Sequence, residues 1–349
     1  MNIPFDPNAP AALDSGIYGL PFGESDASVV LVPVPWEVTT SYGGGTARGP
    51  AAILEASRQV DLYDLDVEKP YLPGIFMLPE DERIVSWNEE GRRLAQPIVD
   101  AGGIVKSPED VAALARVNEL SDKLNALVFS ETERLLRAGK IVGIVGGDHS
   151  VPLGAIDAVA QSRPSGIGVL HFDAHSDTRN AYEGFTFSHA SIMHNVLERV
   201  PKVKKLVQVG IRDVGENEIE FVESQGERVT VFFDRTISRR KMAGESFAAI
   251  TRDIVAALPD DVWVSFDIDG LDPRFCPHTG TPVPGGIDFA EAVFILSEVV
   301  RSGKTIVGFD LNEVAPGPEG DEWDGNVGAR LLYKLIGFTL ASQGKAKLR

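Results

Sequence analysis

The chain has 349 residues and carries 33 Lys and Arg against 51 Asp and Glu, a formal net charge of −18. Holding a phosphate backbone requires clustered Lys and Arg, so this acidic balance puts nucleic-acid binding last among the function classes. A single cysteine, Cys276, excludes an intramolecular disulfide framework and a cysteine-cluster zinc site and suits a reducing compartment.

Residues 1–26 are rich in Pro, Gly and Asp without a period and read as an N-terminal arm. They hold no basic region followed by an apolar core, and no later apolar run approaches the ~18 residues of a membrane span. A soluble, cytoplasmic protein with no membrane partner is expected. Beyond the arm, short β-branched runs bounded by Gly, Asp or Pro recur at 29–35, 141–145, 167–172, 206–211, 229–233, 262–268 and 305–311, and predict buried strands. The stretch 66–106 shows no readable period and is expected to be irregular. A helix should start at Ser107, an N-cap followed by Pro108, Glu109 and Asp110, and run toward Gly139 as the C′ residue, with room for a break. Another should run from Asp288, with Glu291 as its capping-box partner, to about Gly303. At about 150 residues per domain the length admits one large domain or two smaller ones. Strands alternating with helices predict an α/β fold with a largely parallel sheet covered on both faces.

All six histidines fall between 149 and 278, and four predicted strands end in polar clusters. These are Gly146-Gly147-Asp148-His149-Ser150, Asp173-Ala174-His175-Ser176-Asp177, Asp267-Ile268-Asp269-Gly270-Leu271-Asp272-Pro273 and Asp310-Leu311-Asn312-Glu313-Val314. In an open parallel sheet the ligand crevice lies beyond the carboxyl ends of the strands, so the clusters should converge there. The i, i+2 spacing of Asp173, His175 and Asp177, and of Asp267 and Asp269, puts ligand-type side chains on one side of an extended segment. With His149 they supply two imidazoles and four carboxylates. Clustered carboxylates would repel one another without positive ions, and six ligands exceed what one small transition metal takes, so a two-metal site holding a hydroxide is predicted.

Competing motifs are weaker. Gly166 and Gly168 lack a third glycine opening a helix, His189 and His194 lack zincin spacing, and Glu319 to Asn326 does not match a calcium loop. Cys276 has no base beside it and reads as structural.

The four clusters resemble the ureohydrolases, the arginase and agmatinase family. Thr279-Gly280-Thr281-Pro282-Val283-Pro284-Gly285-Gly286, the stretch from Ser41-Tyr42-Gly43 through Gly49-Pro50, Val209-Gly210-Ile211-Arg212 and Glu313-Val314-Ala315-Pro316 carry the likeness over roughly residues 28–340. The resemblance implies one three-layer α/β/α sandwich domain, spanning 1–349 with 1–26 as its arm. It implies two divalent ions, manganese or nickel, and hydrolysis of a guanidino group to urea and an amine. A homo-oligomer, trimer or hexamer, is implied too, with a hetero-oligomer containing a paralogous subunit as an alternative.

Carried over by position, His149 and Asp177 would bind one metal, His175 and Asp269 the other, and Asp173 and Asp267 would bridge both. His189 matches the proton-shuttling histidine and Glu313 the carboxylate that grips the guanidinium, while Asp269 would take the proton released from the hydroxide. Two departures narrow the substrate. Arg179 stands where arginases carry an Asn that helps hold the α-carboxylate, and Gly215 replaces an Asp that helps hold the α-amino group. True arginase activity is therefore disfavoured.

The stretch from Asn312 to Pro316, followed by Asp321-Glu322-Trp323-Asp324-Gly325-Asn326, looks more like the agmatinase-related branch that includes hydrolases of free guanidine. Trp323 would cap a small pocket by stacking on a planar cation, with His194 and Thr40 or Thr39 narrowing it. A compact pocket would favour guanidine, an alkylguanidine or a biguanide. An open one would favour agmatine or an ω-guanidino acid whose carboxylate Arg179 receives. Hydrolysis of another amidine, such as formimidoyl-glutamate, is the second enzyme reading.

Overall fold

The computed structural model describes residues 5–12 and 14–349; residues 1–4 and Leu13, all within the expected arm, lie outside the described residues. In chain order it forms β1 (Val29–Val34), α1 (Gly49–Ser57), β2 (Val67–Glu68), β3 (Ile75–Met77), α2 (Glu82–Asp100), α3 (Pro108–Arg137), β4 (Ile141–Gly146) and α4 (Leu153–Ser162). There follow β5 (Ile167–Phe172), α5 (Ile192–Arg199), β6 (Val203–Val209), α6 (Glu216–Ser224), β7 (Val229–Phe232), α7 (Asp234–Met242) and α8 (Phe247–Ala256). The chain closes with β8 (Asp261–Asp267), α9 (Phe289–Arg301), β9 (Thr305–Asn312), α10 (Trp323–Ser342) and β10 (Lys347–Leu348).

Eight strands form one sheet in the order β3-β1-β4-β9-β8-β5-β6-β7, and every pairing in it is parallel. Its strands are apolar on both faces, as a sheet covered on two sides requires. Leu31, Phe172, Val264 and Phe309 face a cluster shared with α1, α8, α9 and α10; Val30, Val169, Leu206 and Trp263 face the cluster under α2, α3, α4 and α5. The result is a three-layer α/β/α sandwich. The last two strands of this sheet in chain order, β8 and β9, lie between β4 and β5, so the four central strands come from distant parts of the chain.

Local signals hold where they are strong. Ser107 and Asp110 make a reciprocal capping box, as do Asp288 and Glu291, and Gly139 and Gly303 stop their helices at φ 73 and 83. α3 runs unbroken for 30 residues, because Val117, Leu120, Leu124, Val128 and Leu135 keep one stripe buried with no Gly or Pro inside. β6 starts earlier than expected, at Val203, where Lys204 and Lys205 mask an apolar run.

The expectation for 66–106 was wrong over half its length: α2 occupies 82–100, and β2 and β3 precede it. Its buried stripe is Ile84, Gly91, Ala95 and Ile98, so two of four core-facing positions carry almost no hydrophobic signal, and Pro97 sits in the last turn. Within the stretch read as an arm, Ile17, Tyr18 and Leu20 are buried in the larger apolar cluster, and the Tyr18 hydroxyl donates to Ala329 O at 2.9 Å.

One glycine ties the sheet to the chemistry above it. Gly308 on β9 lies beside Trp263 on β8, and a Cβ there would fall 2.4 Å from the indole ring. The space lets the indole N–H donate to Asp310, next to the polar strand ends. Gly308→Ala is expected to destabilise the protein by about 1–3 kcal/mol through overpacking. Urea unfolding checks this, and an unchanged midpoint would show that the ring moves freely.

Candidate metal centre

The carboxyl ends of β4, β9, β8 and β5 lie side by side at the middle of the sheet and deliver the four polar clusters to one place. His149 follows β4, Asp173, His175 and Asp177 follow β5, Asp267 ends β8 with Asp269 in the next turn, and Glu313 follows β9. His175, Asp177, Asp267 and Glu313 line a cavity of about 160 Å³ whose wall also includes His189 and Arg179, and His149, Asp173 and Asp269 are buried within hydrogen-bonding reach of that lining.

His149 Nδ1 lies 3.1 Å from Asp173 Oδ2, 3.2 Å from Asp267 Oδ2 and 3.4 Å from Asp177 Oδ2. His175 Nδ1 lies 3.1 Å from Asp269 Oδ2 and 3.4 Å from Asp173 Oδ1. Asp173 therefore stands between the two imidazoles, one oxygen toward each. Backbone amides orient the rest: Asp269 N–H donates to Asp267 Oδ1 at 2.8 Å, Ala174 N–H to Asp269 Oδ1 at 3.0 Å and His175 N–H to Asp173 Oδ1 at 2.6 Å.

Two side chains reach the cavity from left-handed backbone, Asp177 at φ 55 and Glu313 at φ 62. Such conformations persist where the surroundings over-determine them. Glu313 is pinned by its N–H to Gly147 O at 2.8 Å, by Thr279 Oγ1 donating to its carbonyl at 2.8 Å, and by His149 N–H donating to Oε1 at 2.9 Å. Its other oxygen accepts no hydrogen bond among the described residues.

A polar layer supports this cluster from below. His149 Nε2 is 2.8 Å from Ser265 Oγ, which donates to Asp310 Oδ1 at 2.8 Å; Asp310 also accepts from the Trp263 indole and the Asn312 amide. With Asp310 taking the hydroxyl proton, Ser265 accepts from His149 Nε2–H. The sequence assigns neither Ser265 nor Asp310 a role, although Asp310 opens one of the four strand-end clusters. The signal that finds them is the period of two, since Trp263, Ser265 and Asp267 share one face of β8.

The donor set fits a pair of divalent cations. Two imidazoles and four carboxylates converge, and none of those carboxylates is paired with Lys or Arg among the described residues. His149 Nδ1 faces three carboxylates at a point that a positive charge must occupy, a metal ion or, without one, a proton.

The remaining predicted residues divide. His189 lines the cavity, with its ring edge-on to Tyr182 at 5.9 Å. Arg179 lines it too, its Nε 3.3 Å from Glu218 Oε2 and its guanidinium 4.8 Å from the Tyr182 ring centre. His194 lies instead in an adjoining cavity of about 510 Å³ that shares Arg179 and Glu218 as a wall. Thr39 and Thr40 are buried and Thr40 Oγ1 donates to Glu37 O, so their neighbour Ser41 meets the cavity in their place. Trp323 is held away from it by its indole N–H donating to Arg274 O at 2.9 Å. Cys276 is buried and donates to Ile268 O, and burial pushes its thiol up, in keeping with a structural role.

Burial pushes Asp177 and Asp267 well above the usual carboxylate range, with Asp173 and Asp269 respectively adding to it. Burial, Asp267 and Asp148 do the same to Glu313, and burial raises Asp148 to about 7. Burial alone would lower His149, but hydrogen bonds with Asp173 and Asp267 outweigh it and leave it raised. Asp173 runs the other way, its burial outweighed by His171, His149 and His175. His189, half-buried in the cavity wall, is pushed down by desolvation and by His175 to about 4 and is neutral at pH 7.

Every raised group binds more protons folded than unfolded, so its stabilisation is lost as pH rises through the folded value. Asp173 opposes this only in acid, and the lowered His171 and His189 oppose it only up to the ordinary imidazole range near pH 6.5. Metal-free protein should therefore lose thermal stability from about pH 6 to about pH 8, and added manganese or nickel should flatten the slope by replacing those protons. Melting curves at the two pH values check this, and a rise in stability with pH would contradict it.

No helix among the described residues is long and apolar enough to cross a membrane. A family model described as Arginase family matches residues 27–337. An N(1)-aminopropylagmatine ureohydrolase of Thermus thermophilus is 33% identical over 325 residues, 91% of this chain and 94% of its own. An agmatinase of Escherichia coli O1:K1 is 32% identical over 325 residues, 92% of this chain and 90% of its own. Among solved structures, proclavaminate amidino hydrolase from Streptomyces clavuligerus superposes with a TM-score of 0.73 at 23% identity, covering 96% of this chain and 100% of that one. The agmatine ureohydrolase of Thermoplasma volcanium gives 0.70 at 21%, covering 95% and 96%. With a sheet of the same architecture and the family model matching most of its length, this chain belongs to the arginase family of ureohydrolases.

Proposed function

We propose that the protein hydrolyses a small guanidino compound to urea and an amine, or to urea and ammonia when the substrate is guanidine itself. The observation that carries this reading is the convergence of His149, Asp173, His175, Asp177, Asp267 and Asp269 on one another beside a cavity whose wall presents His175, Asp177, Asp267 and Glu313.

The six residues would hold two divalent ions in the arrangement the family resemblance implies, with Asp173 and Asp267 shared. When bound, the ions supply the Lewis acidity that makes hydroxide available near neutral pH. Their hard and borderline donors accept manganese, nickel and neighbouring metals alike. One structural neighbour, a Trypanosoma cruzi formiminoglutamase, is described with manganese.

Glu313 pairs with the guanidinium through charge-assisted hydrogen bonds, and its pinned backbone fixes the substrate carbon in one place. Asp269 takes the proton released as the nucleophile attacks. His189, neutral at pH 7, carries protons between the cavity and its mouth, so that the departing nitrogen leaves protonated.

A cavity of about 160 Å³ favours guanidine or a short alkylguanidine. The adjoining cavity behind Arg179 supports a second reading, an ω-guanidino acid whose carboxylate meets that guanidinium. A cationic tail, as in agmatine, would meet Arg179 unfavourably.

Urea release from metal-loaded protein should be measured with guanidine, methylguanidine, 4-guanidinobutyrate, agmatine, arginine and a biguanide. Silence on all of them with both manganese and nickel would sink the proposal, and formamide from formimidoyl-glutamate would replace it. Asp267→Ala should abolish metal binding and activity together. Glu313→Gln should lower kcat/KM by about 100-fold, the scale of losing one partner of a buried charge pair, with metal content unchanged. Arg179→Ala should lower the KM for agmatine relative to 4-guanidinobutyrate, and equal shifts for both would remove Arg179 from substrate selection.

A further inference from the structure

Directly beneath the cluster, the sheet register sets four polar side chains in a row: Gln208 on β6 opposite His171 on β5, His171 opposite Ser265 on β8, and Ser265 opposite Asp310 on β9. All four are fully buried. Ser265 and Asp310 serve His149, which leaves His171 and Gln208 to be explained.

His171 has a nitrogen near His149, Asp173 and Asp177, close enough to count among possible metal ligands. Its hydrogen bonds decide otherwise. The Ser176 carbonyl can only accept, so the Gln208 atom 2.8 Å from it is the amide nitrogen, Nε2. That same nitrogen lies 3.0 Å from His171 Nδ1, and the Gln208 oxygen takes the Ser176 hydroxyl at 3.1 Å. Nδ1 is thus an acceptor, and the imidazole proton sits on Nε2, 2.8 Å from Asp173 Oδ2. Neither ring nitrogen keeps a free lone pair for a metal ion.

We propose that His171 is a positioning residue that holds Asp173 for the two ions, and that Gln208 acts through it by fixing its tautomer; this rests on the metal-centre reading above. With Oδ1 held by the His175 amide and Oδ2 by His171, the Asp173 carboxylate cannot turn away from the two imidazoles it stands between. Partners of this kind typically carry 10–100-fold of metal affinity.

The test is calorimetric titration of metal-free protein with manganese or nickel, together with the metal count at saturation, on His171→Leu, His171→Gln, Gln208→Met and the double variant His171→Leu/Gln208→Met. Glutamine can place an N–H donor near the position of Nε2; leucine cannot. His171→Leu is expected to weaken binding by about 10–100-fold without lowering the saturating count. His171→Gln should restore most of the loss. Gln208→Met should weaken binding as well, yet add little on top of His171→Leu, because both act through one hydrogen bond.

A lower saturating count in His171→Gln would make His171 a ligand and overturn the proposal. So would unchanged affinity in His171→Leu, or full additivity in the double variant, which would indicate separate packing effects. Melting of the metal-free variants identifies any that fail to fold; if His171→Leu is one, Gln208→Met with His171 intact decides, and unchanged affinity there overturns the tautomer role. Parent protein that binds no divalent ion would instead overturn the metal centre itself.

Discussion

Four aspartates and Glu313 are buried together beside one small cavity, and their mutual repulsion sets the terms for everything near them. Two carboxylates about 4 Å apart repel by about 4 kcal/mol at the effective dielectric of a partly solvated site. A few such pairs rival the 5–15 kcal/mol by which a folded domain typically exceeds its unfolded state. The protein therefore folds around a place that demands positive charge, and its imidazoles and backbone amides distribute that demand without meeting it. The same electrostatics explains the raised carboxylates and makes the site's acidity part of its affinity for metal.

Holding mutually repelling groups in register takes a rigid support, and the parallel sheet provides it. Each candidate ligand sits at or just past the end of a central strand, and the row below it is built from the same strands. Gly308 admits the Trp263 ring, the indole N–H reaches Asp310, Asp310 takes the Ser265 proton, and Ser265 accepts from His149. Packing in the apolar core is thereby connected to the orientation of an imidazole at the site. The left-handed backbone at Asp177 and Glu313 is the other cost of the arrangement, sustained by hydrogen bonds that leave those residues no alternative.

Charge also organises the approach to the site. A chain of net charge −18 draws cations toward it, which suits both a divalent metal and a guanidinium. Glu313 matches that sign at the bottom of the cavity. Arg179 breaks it at the wall, where Glu218 and the Tyr182 ring hold a guanidinium in place. Under the proposed function, Arg179 is the wall residue that would discriminate between a cationic and an anionic substrate tail.

Motifs, caps and β-branched runs determined much of this by themselves: the alternating architecture, the N-cap at Ser107, the capping box at Asp288, and the six clustered ligand-type residues. Those signals are legible because each is written in neighbouring residues. Three-dimensional structure decided the rest. Only pairing across the sheet sets Gln208 against His171 and Ser265 against Asp310, because register between distant strands leaves no trace in local spacing. Only packing shows that Trp323 is held by Arg274 O while Ser41 and Tyr182 meet the cavity, since a loop's direction depends on contacts made far along the chain. The α2 helix stayed hidden for a related reason: its buried face carries Gly91 and Ala95, whose value lies in close approach to neighbouring elements and not in hydrophobicity. Chemistry written in a short motif is readable from sequence, whereas orientation, tautomer and pocket shape arise from contacts between segments that only the folded chain brings together.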